Sequence, residues 1–361
     1  MPIGSTKLAN DVNYRGPTLI GLAASAVLTM LVIIGSRNLE HFDSALFGYL
    51  IASIVAFGAI FFRYSLWLQR PATRAYFVRG LKLFFQRKNF LRNTYGASVT
   101  IGTNLVSQRF IFRRGFYRWL MHFLIMWGCI LSAAVTFPLV FGWVHFRLEG
   151  DTGYRAYIFG FPVQLMEGRS LMAWLTFHAL DFTAIMVIAG CAMAIRRRLK
   201  DRGAIAVQQF LLDFVPQLLL IAISVSGLML TASSLWFGGY MYSFIALAHQ
   251  AVVIMTLFFL PFGKLFHIVQ RPASIGVELY QQRSKEMEQA KCVRCGVQFA
   301  SVMWLGDLKS VVEKLGFDYT MEDGEQLQDY CPRCKRVLRG LAYSEINGKK
   351  DHVFYGSRVD G

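Results

Sequence analysis

Residues 246–282 read ALAHQAVVIMTLFFLPFGKLFHIVQRPASIGVELYQQ. The apolar run that holds most of this stretch extends over about 241–269. That is long enough to cross a hydrocarbon core of about 30 Å, which takes about 20 helical residues. Two histidines lie in it, His249 and His267. Their spacing corresponds to five whole turns at about 3.6 residues per turn, so on one continuous helix both rings project from the same face. At about 1.5 Å rise per residue their Cα atoms stand about 27 Å apart, which places one imidazole near each membrane surface.

Five more apolar blocks precede this one, at about 18–36, 44–66, 117–143, 170–195 and 208–235. The chain has 361 residues, of which 55% are hydrophobic and 17% charged, too much apolar surface for one soluble core. The fold class expected is therefore all-α: a polytopic membrane protein of six transmembrane helices with a small C-terminal metal domain. The net charge of +16 would suit a nucleic-acid binder. Its Lys and Arg residues, however, fall in the loops between apolar blocks, which is the pattern of membrane topology, so no nucleic-acid partner is expected. Residues 69–118 alone hold eleven Lys and Arg and no Asp or Glu. With RRRLKDR after the fourth block and the segment after Phe262, they mark one face. That face is expected to be cytoplasmic and to carry both termini, in a cell inner membrane. Within the basic stretch, residues 75–85 (AYFVRGLKLFF) fit an interfacial helix or a solvated basic loop equally well. No cleavable signal peptide is visible.

Histidines inside apolar spans are costly and are candidates for function. Four of the seven lie there: His122, His178, His249 and His267. His41 and His145 fall in outside loops, and His352 in the tail. Sorting the four by depth pairs His122 with His267 at the inner surface and His178 with His249 at the outer. Two imidazoles facing across a helical bundle can supply both axial ligands of a haem iron, with the helices as apolar walls. A lone membrane histidine serves as often as an interhelical hydrogen-bond donor. Asp181, one turn from His178, can orient that histidine or relay protons, or can be a water-bonded acid. Arg113, Arg114, Arg118, Lys264 and Arg271 sit near the inner depth, as haem-propionate partners or as ordinary surface anchors. Gly128 and Gly227 can admit a flat macrocycle or serve close packing.

The sixth span resembles the last span of the gamma subunit of respiratory nitrate reductase. The shared features are a histidine, a Leu/Phe-rich run, Pro261-Phe262, Lys264, His267-Ile268 and Pro272. Related membrane subunits of heterodisulfide-reductase-type complexes share the pattern, and the resemblance covers about 116–282. It implies a di-haem cytochrome b that exchanges electrons with quinone, and a cytoplasmic iron–sulfur or catalytic subunit docked on the inner face. The chain it implies is a quinone-coupled electron-transfer subunit of a multi-subunit membrane oxidoreductase. The inner ligands carry over to His122 and His267, and one outer ligand to His249. The family's further histidine, ten residues after the first, is replaced by Ser132, so the fourth ligand falls to His178. An outer-face quinone site near His178 and Asp181 follows from the same resemblance. Nitrate chemistry does not, because the two N-terminal spans and the tail lie outside the pattern.

The tail holds Cys292-Val-Arg-Cys295 and Cys331-Pro-Arg-Cys334. Two C-x-x-C knuckles suit one tetrahedral ion, structural zinc in first place and a rubredoxin-like iron in second. Cys129 and Cys191 lie inside apolar blocks and read as packing residues. The organisation expected is an N-terminal hairpin and basic loop over 1–116, a di-haem four-helix bundle over 117–285, and a cytoplasmic four-cysteine tail over 286–361. A haem-free transporter or structural anchor is the alternative reading. A transporter would more usually show inverted repeats and helices broken near the midplane.

Overall fold

The computed structural model describes residues 12–321 and 324–346. The polar start of the chain up to residue 11, and His352, lie outside the described residues. In chain order the elements are α1 (Arg15–Gly35), α2 (Phe47–Leu68), α3 (Pro71–Phe84), α4 (Phe90–Thr100), a π-helical stretch (Ile101–Val106), α5 (Arg109–Phe112) and α6 (Phe116–Val140). Then follow β1 (Val144–Glu149), β2 (Gly153–Ile158), β3 (Phe161–Glu167), α7 (Leu171–Phe177), α8 (Ala179–Lys200), α9 (Arg202–Val207), α10 (Phe210–Asp213), α11 (Val215–Trp236) and α12 (Tyr242–Phe262). The chain continues through α13 (His267–Gln270), α14 (Ser274–Glu286), β4 (Gln289–Lys291), β5 (Gln298–Ser301), α15 (Val302–Lys314) and α16 (Pro332–Ile346).

Among the described residues, six helices are long and apolar enough to cross a membrane: α1, α2 with its 3-10 lead-in from Ser44, α6, α8, α11 and α12. The protein is a mostly helical, multi-pass membrane protein. Strictly all-α it is not. Residues 144–167, expected as a loop of mixed charge, form a three-stranded antiparallel sheet in the order β1-β2-β3, and β4 pairs with β5 in the tail. The chain falls into two compact units that cross the expected boundaries. One joins 13–66 to 100–272, and the other joins 67–99 to the chain from Ala273 onward.

In the larger unit α6 packs on α8, α8 on α11, and α11 on α12. Glycines permit the tightest of these crossings. A Cβ at Gly190 would sit 2.9 Å from the Met121 carbonyl oxygen, and one at Gly128 would sit 3.1 Å from that of Thr183. Gly128 is therefore a close-packing position between α6 and α8 rather than an opening for a macrocycle. Ser132 on α6 meets Thr183 on α8 at 2.7 Å. A second core is built from Leu28, Val32 and Leu50 with Val140 and Phe141 at the end of α6. There Trp143 donates its indole N–H to the Leu31 carbonyl. Beside it His41 stacks on His145 at 4.3 Å, and His145 stacks in turn on Tyr157 of β2 at 4.9 Å.

The sixth span departs from expectation. It ends at Phe262, Gly263 is extended (φ −91°, ψ −169°), and His267 opens the short α13 after a 3-10 turn. The expectation of one continuous helix through His249 and His267 is thus corrected. Pro261 lacks the N–H that would continue the ladder, and the Phe259 ring folds over Gly263 so closely that a Cβ there would meet it at 2.1 Å. Arg63 of α2 secures the break: its guanidinium donates to the Pro261 carbonyl and lies over the Phe266 ring at 4.5 Å.

In the smaller unit α3 is a helix with a packed face, which decides between the helix and the basic loop that the sequence left open. Its Gly80 comes within backbone contact of Gly276 on α14, where a Cβ would meet the Gly276 carbonyl oxygen at 3.1 Å. Leu83, Leu279 and Tyr280 form the core between them, with Trp304 of α15 against it. Asp307 ties the three helices together, accepting from Arg79 at 2.6 Å and from the Tyr280 hydroxyl at 2.8 Å.

Candidate functional site

Four histidines in the larger unit share one arrangement. His122 Nδ1 faces Gln108 Oε1 at 2.8 Å, and the Gln108 amide nitrogen faces Met126 Sδ, which fixes which end of the amide is which. His178 Nδ1 faces the Asp181 carboxylate at 2.7 Å. His249 Nδ1 lies 2.9 Å from the Ser226 hydroxyl, which also lies 2.6 Å from the Ala222 carbonyl. His267 Nδ1 lies 2.6 Å from the Lys264 carbonyl. The partners of His122, His178 and His267 are acceptors, so in these three a neutral imidazole carries its proton on Nδ1 and leaves the Nε2 lone pair for something else, whereas the Ser226 hydroxyl can accept from His249 or donate to it. Metal-ligating histidines show this pattern: the second ring N–H is held by a carboxylate or carbonyl that sets tautomer and ring orientation.

Near the start of α6, His122 lies within electrostatic range of both His267 and Arg271. Arg271 lies over the Phe110 ring at 5.1 Å. Gln108 reaches this place because it is left-handed (φ +53°) at the end of the π-helical stretch, and its side chain is almost wholly buried. The stretch runs beside α6: Trp119 and Trp127 donate their indole N–H groups to the carbonyls of Ser107 and Val106. Trp127 lies about 16 Å along α6 from its start, so this backbone returns well into the bundle from the helix end.

Toward the other end of the bundle α11 supplies the connection. Its Thr231 donates to the second Asp181 oxygen at 2.8 Å, while its Ser226 holds His249. These two residues are about 7.5 Å apart along the helix, so the supports of His178 and His249 share a neighbourhood. His178 stands at the break between α7 and α8, at the head of the spanning helix. Gly227 lies beside the His249 ring, where a Cβ would touch Cε1 at 3.5 Å, so this glycine keeps the imidazole free on that side.

Asp213 was not foreseen. Its carboxylate is buried and takes Lys264 at 2.6 Å, Arg198 at 2.9 Å and the Gln209 amide at 3.0 Å. Burial opposes its charge, but Lys264, the Gln209 amide and Arg198 outweigh burial and hold the carboxyl below its usual range. A depressed carboxyl contributes stability that is present above about pH 4 and lost as pH falls through the folded-state value. Asp213→Asn is therefore expected to cost about 2–3 kcal/mol at neutral pH. The difference from wild type should shrink below pH 4 in thermal unfolding of the solubilised protein. Equal midpoints at pH 7 would show the cluster to be idle.

In the smaller unit Cys292, Cys295, Cys331 and Cys334 come together, with their sulfur atoms all within 4.8 Å of one another. Cys295 and Cys331 stand 3.7 Å apart, close to the edge of about 3.8 Å that a tetrahedron with metal–sulfur bonds of about 2.3 Å requires. Gly296, at φ +69°, turns the first knuckle and donates its N–H to the Cys292 carbonyl. Cys331 precedes Pro332 at the start of α16, so the Cys334 amide points back at its sulfur at 3.5 Å. Burial disfavours the thiolate at Cys292, but amides of Cys331, Cys295 and Arg294 bring the thiol down to about 6. Cys334 is pushed up to about 12 by burial and its thiol neighbours. Four sulfurs this close cannot all be charged without a cation among them. The cluster can bind a metal such as zinc.

No family model matches the chain, and no curated protein or solved structure matches it either.

Proposed function

We propose that this chain is a membrane cytochrome b subunit that carries electrons between the quinone pool and a cytoplasmic iron–sulfur or catalytic partner through two b haems. The supporting observation is that His122, His178, His249 and His267 each have Nδ1 held by a neighbouring oxygen, from Gln108, Asp181, Ser226 and Lys264 in turn, as metal-ligating histidines do. The inner pair is His122/His267 and the outer pair His178/His249. The break after Phe262 leaves the inner pairing to the turn that Lys264, Asp213 and Arg63 hold in place.

When bound, each haem supplies a one-electron centre. The chain's part is to fix the axial nitrogens, exclude water with apolar helices, and set the local charge. Arg271 and Lys264 offer positive charge near the inner pair, and Asp181 offers a carboxylate and a proton-accepting position near the outer pair. The outer end is accordingly the proposed place of quinone exchange. The four-cysteine tail is read as a zinc-stabilised platform for the soluble partner. The basic segments put that platform and both termini on the cytoplasmic side of the inner membrane.

Absorbance tests the haem reading directly. The purified protein is expected to show a reduced-minus-oxidised spectrum with the Soret and alpha bands of b haem, at about two haems per chain. A colourless preparation from haem-replete cells removes this function and leaves a transporter or an anchor.

A further inference from the structure

At the end of the bundle where α6 begins and α8 finishes, Tyr117, Arg196, Arg197, Lys200 and Asp201 line a groove of about 390 Å³. Three of its five side chains are cationic and one, Asp201, is anionic. Arg197 makes only a long contact with Asp201, at 3.7 Å. Arg198, next in sequence, is turned away to Asp213. Arg196 and Lys200 have no hydrogen-bond or ion-pair partner among the described residues, and both are exposed. Tyr117 braces the other wall, its hydroxyl donating to the Met193 carbonyl at 3.1 Å.

The groove continues into a lipid-facing track. On α8 the exposed positions Phe182, Ile185, Ala189 and Ala192 recur at helical spacing and lead directly to Arg196. The opposite side of α8 is closed against α6 by Gly190 and Val187. An apolar stripe with small side chains in its last two turns, ending in unpaired cations at the end of a spanning helix, matches the outline of a phospholipid: acyl chain below, anionic phosphate above.

We propose that Arg196, Arg197 and Lys200 bind the phosphate of an anionic phospholipid, with Tyr117 as the wall beside them and an acyl chain lying along Phe182, Ile185, Ala189 and Ala192. Guanidinium groups give a phosphate charge-assisted, forked hydrogen bonds, and Lys200 adds a point charge. The interaction is independent of any haem.

Native mass spectrometry of the full-length protein, delipidated and then titrated, tests this. The probes are phosphatidylglycerol, phosphatidylcholine, glycerol 3-phosphate and inorganic phosphate. Wild type is expected to bind one phosphatidylglycerol in preference to phosphatidylcholine. Arg196→Gln with Lys200→Gln should weaken that binding about 30-fold, the loss of two cations at a headgroup. Arg113→Gln with Arg114→Gln removes the same charge elsewhere and should leave it intact. Ala192→Trp keeps every charge but blocks the track, and should weaken the lipid without changing glycerol 3-phosphate. Equal lipid binding by wild type and the Arg196/Lys200 variant overturns the site, as does an equal loss in the Arg113/Arg114 control. Glycerol 3-phosphate or inorganic phosphate binding as tightly as the lipid overturns the acyl track and makes the site one for soluble phosphate.

Discussion

His249→Ala should leave the purified protein with about half of its haem b, and His267→Ala should do the same by losing the other half. A b haem has no covalent bond to its protein, so an axial nitrogen and the apolar walls are what retain it. The pairing can be read from double variants. His122→Ala with His267→Ala should lose no more haem than either alone, because both act on one centre. His249→Ala with His267→Ala should lose all of it. Residues acting on one centre are non-additive and those on separate centres are additive, so the pattern assigns partners without a structure. Pyridine haemochrome assay of equal amounts of folded protein supplies the number. Supporting residues should give graded effects: Ser226→Ala and Gln108→Leu remove the groups that fix His249 and His122, and a loss of such partners typically costs about 10–100-fold in affinity. If His249→Ala and His267→Ala each keep two haems, or each lose both, the proposed pairs are wrong.

The six spans and the four cysteines could be read in advance because each is a local signal. A block of some twenty apolar residues has one inexpensive fate in a bilayer, and two C-x-x-C knuckles have few uses besides metal. What escaped sequence reading depends on partners far along the chain. Gln108 is fourteen residues from His122 and Ser226 is twenty-three from His249, and nothing in their flanks marks them as histidine supports. Asp213 reads as one acid near the start of the fifth apolar block until Arg198 and Lys264 converge on it. The smaller unit draws α3 and α14 together through Gly80 and Gly276, which no periodicity announces. Two features were visible and outweighed by a stronger pattern. Pro261 and Gly263 are ordinary stop signals, but the five-turn spacing of the histidines favoured carrying the helix through them. The alternation in VHFRLE and GYRAYI is strand-like, yet its charges made the segment look like a plain loop.

Removing the metal from the four-cysteine centre should unfold the knuckles while the six spanning helices stay in place. The reason is the composition of the local core. Around the sulfurs the buried residues are Cys292, Tyr330, Cys331 and Cys334, with only Phe299, Met321 and Leu338 packed against them, so the cysteines themselves are most of the interior. So small an apolar cluster does not hold a fold alone, whereas zinc bound by four thiolates contributes on the order of 10–16 kcal/mol in small zinc domains. Without an ion, burial and the neighbouring thiols push Cys334 up, while the amides of Cys331, Cys295 and Arg294 bring Cys292 down against burial. The neighbouring core of Leu83, Leu279 and Tyr280, tied by Asp307, contains no cysteine and should survive. Hydrogen exchange of the full chain, before and after a chelator, should therefore show protection lost in β4, β5 and the first turns of α16 and retained in α3 and α14. Cys331→Ser should copy the chelated pattern and drop metal content from about one ion per chain to near zero by elemental analysis. Iron in place of zinc would reveal itself as thiolate-to-metal absorbance that remains after haem extraction. Full metal content in Cys331→Ser, or unchanged protection of the knuckles after chelation, would show that these four sulfurs converge without holding an ion that the fold needs.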